Sequence, residues 1–353
     1  MPRRKIAYIE LDTHAEIAGN IMELSADSGQ LEIDFFLSEK ISAQLQMIES
    51  ANVRISNPKT VLSDLAKDKY ELVIIGTAHR FFSVWNRISK NFPTAVIVHN
   101  KNFAARSKAV IKSLILKDES LYRLKLLLKE GLLNAPEIYH NSKALFVLDT
   151  ALADEQHYLL PVFFQKYSCE KKDDIITVAI PGAVDSHRRD YRHIVTKLQS
   201  TKFENPHHFI FPGKAGPEML QQLQKLQITG AQNNFSMQFF SEKIPQKEFD
   251  RLMNSADILW CPVQKKTSFF SQEEIYGKTK MTGNVGDAIR YGKPAVFPAW
   301  YADVQPFIHH EEHDLTGLFE KLIGKTGDFQ KFTKNNVLQH FENAVLKVIQ
   351  EYK

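Results

Sequence analysis

The residues best placed to hold a phosphate lie in one block, Glu273–Pro298, which reads EEIYGKTKMTGNVGDAIRYGKPAVFP. The spacing predicts a loop carrying Gly277 and Gly283 and then a helix beginning near Asn284, with Asp287 in its first turn and Gly292 after its end. A helix N-terminus exposes backbone N–H groups and a partial positive charge, which suits a diphosphate. Lys278 and Lys280 add point charges. The same residues also make an ordinary capped helix, with Thr282 or Asn284 as cap and Asp287 complementing the dipole. A second block, Ile180–Tyr191 (IPGAVDSHRRDY), runs from a strand end into a helix. Gly182 permits close backbone approach to a ligand. Arg188 and Arg189 carry planar donors that match phosphate, but adjacent helical positions point apart, so at most one of them serves.

In the first half, Asp12 and His14 follow the first predicted strand, and His99 and Asn100 follow another. An imidazole titrates near neutrality and can deprotonate an acceptor hydroxyl. Asp12 can do the same after a pKa shift, or hold hydroxyls. Each of these histidines is equally readable as a loop residue making structural hydrogen bonds. His79 and His310 are weaker candidates. The string His309–His313, HHEEH, reads as a solvated loop rather than a metal site. No Asp-x-Asp string demands a metal, and none is expected.

These residues need a scaffold, and the apolar patterning supplies one. Ile6–Leu11, Ile33–Leu37, Leu72–Ile75, Ala95–Val98 and Leu145–Leu148 are short apolar runs separated by helical patterns. Such runs between helices predict a parallel sheet covered on both faces. Asp149–Lys172 breaks the rhythm and leads into the polar cluster SCEKKDD. A second series follows, with strands at Ile175–Ile180, Phe209–Phe211, Ser236–Phe240, Ile258–Cys261 and Ala295–Phe297, and a closing helix over Phe332–Tyr352. The fold class is therefore α/β, with two doubly wound Rossmann-like parallel-sheet domains facing a cleft. The expected division is residues 1–165, residues 166–325 and a terminal helix over 326–353.

Composition is ordinary for a globular protein, at 43% hydrophobic and 24% charged residues with a net charge of +4. The two cysteines, Cys169 and Cys261, read as buried thiols of a reducing compartment. The N-terminal apolar run is interrupted by Glu10 and Asp12, unlike a signal peptide. No run approaches the ~20 apolar residues of a spanning helix. A cytoplasmic protein is expected. Residues 101–133 carry eight Lys/Arg against three Asp/Glu, a local charge of +5, interleaved with leucines and isoleucines. That pattern suits an anionic membrane surface, and equally a pair of surface helices with their lysines in water. Aromatics are sparse there, and nucleic acid is not an expected partner.

The block Glu273–Pro298 resembles the donor-binding segment of GT-B glycosyltransferases of the nucleotide-sugar-dependent, group 1-like kind. The preceding stretch, FSMQFFSEKIPQKEFDRLMNSADILWCPV, is similar to the same family's strand, loop, helix and strand. With Ile175–Tyr191 the likeness covers most of the second domain. It implies that Lys280, Thr282 and Gly283 bind diphosphate and that Asp287 bonds sugar or ribose hydroxyls. It carries Gly182 and one of Arg188 and Arg189 to the donor, and Lys243 and Ile244 to the base through their backbone. Glu274, Trp300 and Tyr301 are assigned to the sugar pocket, without a ranking. Many retaining members carry two glutamates eight positions apart, whereas here Asp287 is preceded at that spacing by Thr279, so the stereochemical outcome stays open. The expected function is transfer of a sugar from a UDP- or GDP-sugar to a saccharide or lipid-linked saccharide in surface polysaccharide synthesis. No other cofactor is implied, and peripheral attachment to the inner face of the plasma membrane fits. A sugar-nucleotide epimerase of the same fold, or a non-catalytic donor-binding or adaptor subunit, is the alternative.

Overall fold

A computed structural model describes residues 2–46, 52–115, 117–167, 175–185, 189–302, 304–324 and 328–351. Cys169 and Arg188 lie outside the described residues. The first sheet contains β1 (Arg4–Glu10), β2 (Leu31–Leu37), β3 (Val53–Ile55), β4 (Leu72–Ile75), β5 (Thr94–Ile97), β6 (Ala144–Val147) and β7 (His157–Leu159). They are parallel, in the order β3-β2-β1-β4-β5-β6-β7. The central strands β4 and β5 are buried at every position, as sheets covered on both faces require.

The second sheet begins with β8 (Ile176–Ala179), β9 (His207–Lys214), β10 (Phe235–Phe240) and β11 (Ile258–Trp260). A two-stranded ribbon intervenes, β12 (Lys266–Phe269) and β13 (Gln272–Ile275). Its turn residues Phe270 and Ser271 have φ of 50° and 54°, the left-handed backbone that two-residue hairpins use. The sheet then resumes with β14 (Ala295–Phe297) and β15 (Ile308–His310), giving the order β10-β9-β8-β11-β14-β15. Both sheets reverse winding once, between β1 and β4 and between β8 and β11. In open α/β sheets such a switch point is where ligands bind, beyond the carboxyl ends of the strands.

Register fixes what emerges there. Ile9 lies opposite Ile75, so Glu10–His14 and Gly76–Arg80 leave the first sheet side by side. Val178 and Ala179 lie opposite Ile258 and Leu259, so Pro181-Gly182 emerges next to Cys261-Pro262.

Two compact units result. One holds residues 1–162, 268–281 and 334–353, and the other residues 163–267 and 282–333. The continuous 166–325 domain of the sequence reading is thus interrupted, because the ribbon docks on the first unit. Glu274 caps the helix Lys101–Ala104 by accepting the amides of Phe103 (2.9 Å) and Asn102 (3.3 Å). Phe269 meets Phe103 edge-on at 5.0 Å between ring centres. The terminal helix Lys334–Glu351 also returns to the first unit, where buried Glu342 accepts the Gln30 side-chain amide at 2.9 Å and the Ser28 hydroxyl. Trp85, Phe82 and Phe103 anchor the first core, and Trp260, Phe209 and Phe319 the second.

Candidate functional site

At the first switch point, β1 ends in a buried acid. The Glu10 carboxylate accepts the Thr77 hydroxyl at 2.7 Å and the amides of Asp12 (3.2 Å) and Thr13 (3.3 Å). Burial pushes its pKa up to about 7, against those hydrogen bonds. Gly76 makes room for it, since a side chain there would overlap the Glu10 carboxylate and the Tyr8 hydroxyl. The clamped loop delivers His14 with φ 60°, a left-handed conformation uncommon outside glycine.

The His14 imidazole stacks on His99, with ring centres 4.2 Å apart and planes 13° from parallel. The other ring nitrogens settle the protonation pattern. His99 Nε2 lies 2.9 Å from the Gly76 carbonyl, which can only accept, so His99 carries its proton there. Burial, with His14 and His79 nearby, holds its pKa well below the ordinary histidine value. His79 meets His99 edge-on at 5.5 Å, accepts the Asn100 side-chain amide at 3.0 Å, and is pushed down to about 3 by burial, then by the charges of His14 and Lys280. Both are neutral at physiological pH. His14 Nδ1 lies 2.9 Å from Glu16 Oε1. Burial pushes the Glu16 pKa up, but the hydrogen bond to His14, the His14 charge and a backbone hydrogen bond together outweigh it and hold the carboxyl below its usual value, so Nδ1 is the donor. That leaves His14 Nε2 as an acceptor aligned by a carboxylate, the arrangement of a general base. Asp12 faces Arg80 at 3.5 Å and Lys40 at 3.8 Å, so its carboxylate is engaged in ion pairs.

Lys280 belongs to this corner. Its ammonium donates to Asn100 Oδ1, and it sits 5.9 Å from the centre of the Phe269 ring. Lys280 and Glu274, both expected at the donor site of the second domain, are therefore in the first unit. Glu274 is fully buried and its oxygens are taken by backbone amides, so it is a cap rather than a sugar ligand.

At the second switch point, Thr282 caps the helix Gly283–Tyr291, its hydroxyl accepting the Asn284 amide at 3.4 Å. The wholly buried Asn284 side chain donates to the Pro181 carbonyl at 3.3 Å and accepts Arg189 Nη1 at 2.6 Å. The β8 loop, the arginine and the helix start are thereby bound to one another. Gly182 has φ 108°, and a side chain there would overlap the Arg189 guanidinium. Gly283 is exposed, with open space where a side chain would stand. The arrangement sets the positive end of a helix beside a guanidinium that donates to a neutral amide, which is chemistry that suits an anion.

Among solved structures, the chain is similar to the lipopolysaccharide outer core galactosyltransferase WaaB in its apo form, with TM-score 0.58, 13% identity, and 97% of this chain and 99% of that chain covered. It is also similar to Anabaena Alr3699/HepE in complex with UDP, with TM-score 0.53, 13% identity, and 99% and 98% covered. No family model and no curated protein matches. The chain has the GT-B fold.

Within this GT-B fold the remaining expected residues are dispersed. Asp287 stands beyond the first turn, because the Thr282 cap starts the helix at Gly283, and its carboxylate accepts Asn284 Nδ2 at 3.5 Å. Lys243 is exposed and Ile244 half-buried after β10. The HHEEH string is a solvated loop only at Glu312 and His313, which are exposed: His309 and His310 pair along β14, and Glu311 accepts the Trp260 indole N–H at 3.0 Å. Among the described residues no group of three or more His, Cys, Asp or Glu is arranged for a metal. Cys261, buried beside the switch point, has its thiol pushed well above its usual pKa. Two residues escaped the sequence reading, Glu10 as a loop clamp and Glu16 as partner of His14. A charged residue closing an apolar strand was the signal for the first.

Proposed function

We propose that this GT-B protein transfers a sugar from a UDP- or GDP-sugar to a hydroxyl of a saccharide or lipid-linked saccharide, in the synthesis of a surface polysaccharide. The observation that carries the reading is the Gly182–Arg189–Asn284 cradle at the switch point of the second sheet. Alr3699/HepE, solved with UDP, supports a nucleotide donor. The donor diphosphate takes the amides at the start of the Gly283–Tyr291 helix and the Arg189 guanidinium. These preorganised charges stabilise the leaving nucleoside diphosphate as the glycosidic bond breaks. His14 Nε2 takes the proton of the attacking hydroxyl while its oxygen bonds to the anomeric carbon, and the electrons of the broken C–O bond leave on the diphosphate. A base acting on the acceptor fits direct, inverting displacement. The cationic cradle supplies the counter-charge, so the reaction is read as metal-independent.

The outer face of residues 120–130 supports work at an anionic membrane. Leu121, Leu124 and Leu128 are 84%, 43% and 75% exposed and lie among Lys117, Lys125 and Lys129. No helix among the described residues is long and apolar enough to cross a membrane. Peripheral attachment at the cytoplasmic face is the reading these leucines support.

A thermal-shift series against UDP-, GDP-, dTDP- and CMP-sugars, with Arg189→Ala as control, tests the donor assignment. Stabilisation by one nucleotide class that the variant lacks is the expected result. No stabilisation at millimolar concentration would sink it.

A further inference from the structure

A cavity of about 820 Å³, which shares Arg189 with the anion cradle, opens at the carboxyl ends of β11, β14 and β15 in the second unit. Its walls are the stretch after β11 through Lys265, the turn Pro298–Trp300, Glu311 and the first turn of the helix Tyr191–Ser200. The acids on its lining are already committed. Glu311 accepts the Trp260 indole and lies 2.6 Å from His193 Nε2 and 3.8 Å from the Lys197 ammonium. Asp190 caps the helix by accepting the His193 amide at 3.0 Å. Of the cations, Arg189 is held by Asn284 at 2.6 Å. Among the described residues, Arg192 and Lys265 make no ion pair with a carboxylate.

Beside them stands a flat apolar surface. Trp300 is half-buried and meets Tyr301 edge-on at 5.8 Å, and Tyr301 in turn stacks on Phe297 at 4.4 Å. The other two tryptophans are almost wholly buried in the cores. A braced indole next to unpaired guanidinium and ammonium groups matches a particular ligand. The C–H face of a sugar ring covers the indole, and an anionic substituent on that ring takes the charged donors.

We infer that this cavity binds a saccharide bearing a carboxylate or phosphate, with Trp300 as platform and Arg192 and Lys265 as the anion's partners. The inference deepens the proposed function and rests on it only for the ligand being a sugar. The acidic sugar comes either from the donor or from the acceptor, and the test separates the two.

Calorimetric titrations compare digalacturonate with digalactose for the acceptor, and UDP-glucuronate with UDP-glucose for the donor. Each is run on the wild type, on Arg192→Gln/Lys265→Gln, and on Trp300→Ala. Arg192 and Lys265 are exposed, so their replacement leaves the cores intact. An acidic ligand of one pair or the other should bind at least tenfold more tightly than its neutral counterpart. The double variant should lose that preference, 0.5 M salt should weaken it, and Trp300→Ala should weaken the preferred acidic ligand in its own arm. The pair that shows the preference identifies the source. Equal binding within both pairs, or a preference that survives in the double variant, overturns the inference. UDP titrated alone reports on the donor cradle: if UDP does not bind the wild type, the glycosyltransferase reading fails, while the digalacturonate arm still decides the cavity.

Discussion

Replacing Glu10 with glutamine should make the first unit's stability less dependent on pH. The carboxyl is fully buried at the end of β1, and its pKa is about 7 against an ordinary 4.5. The folded chain therefore holds this proton more tightly than the unfolded chain does. The stabilisation is complete below pH 4.5 and is lost as the pH rises through 7. A shift of that size, at 1.36 kcal/mol per unit, corresponds to about 3 kcal/mol. The Glu10→Gln side chain keeps the shape: its oxygen still accepts the Asp12 and Thr13 amides, and its NH₂ group turns toward the Thr77 hydroxyl without charge. Urea unfolding of both proteins at intervals from pH 5 to pH 8 measures the difference. His79 and His99 also titrate on unfolding, but they do so in both proteins, and the comparison cancels them. The variant should gain on the wild type by roughly 2–3 kcal/mol across that range. A difference constant to within about 0.5 kcal/mol would show that Glu10 ionises in the fold without cost, and would refute the reasoning.

His14→Asn, which tolerates the left-handed backbone, should lower turnover by roughly 10²–10⁴-fold while leaving nucleotide-sugar affinity unchanged; initial rates beside calorimetry check this, and undiminished turnover removes His14 as the base. Gly182→Ala should cost about 1–3 kcal/mol in unfolding experiments, from its φ of 108° and its overlap with Arg189, and should weaken UDP binding as the cradle shifts. Leu121→Glu/Leu128→Glu should abolish co-sedimentation with phosphatidylglycerol vesicles yet change stability by less than about 0.5 kcal/mol, since both side chains are mostly in water.

Inner strands of both sheets were legible because burial on both faces writes itself as apolar runs: Leu72–Ile75 and Ala295–Phe297 were read with the bounds they have in the fold. The short edge strands were not. Val53–Ile55 and Ile308–His310 each run for three residues and carry polar side chains that an edge tolerates and a periodicity search discards. The Thr282–Gly283–Asn284 helix start was readable from local capping chemistry. The ribbon's return to the first unit was not, because it depends on a carboxylate meeting amides some 171 positions away in the chain. Local pattern carries local structure; the docking of Glu274 and Lys280 is a tertiary fact.

One topology is used twice here, for opposite electrostatic purposes. At the first switch point the proposed reaction asks for a proton acceptor, and a cationic neighbour would oppose proton uptake there. Burial keeps His79 and His99 neutral, and the group in hydrogen-bond contact with the His14 ring is the Glu16 carboxylate. At the second switch point the chemistry asks for standing positive charge. Had the partner of Arg189 been a carboxylate, that charge would be cancelled before a phosphate arrived. The buried Asn284 amide instead orients the guanidinium at 2.6 Å and leaves its charge intact. The choice of amide over acid at position 284 is therefore what the proposed anion site depends on. Asn284→Asp gives up the bond to the Pro181 carbonyl and should lower stability; below its melting temperature it should also lose UDP binding in a calorimetric titration, and unchanged affinity would show that the guanidinium's charge is not what holds the diphosphate.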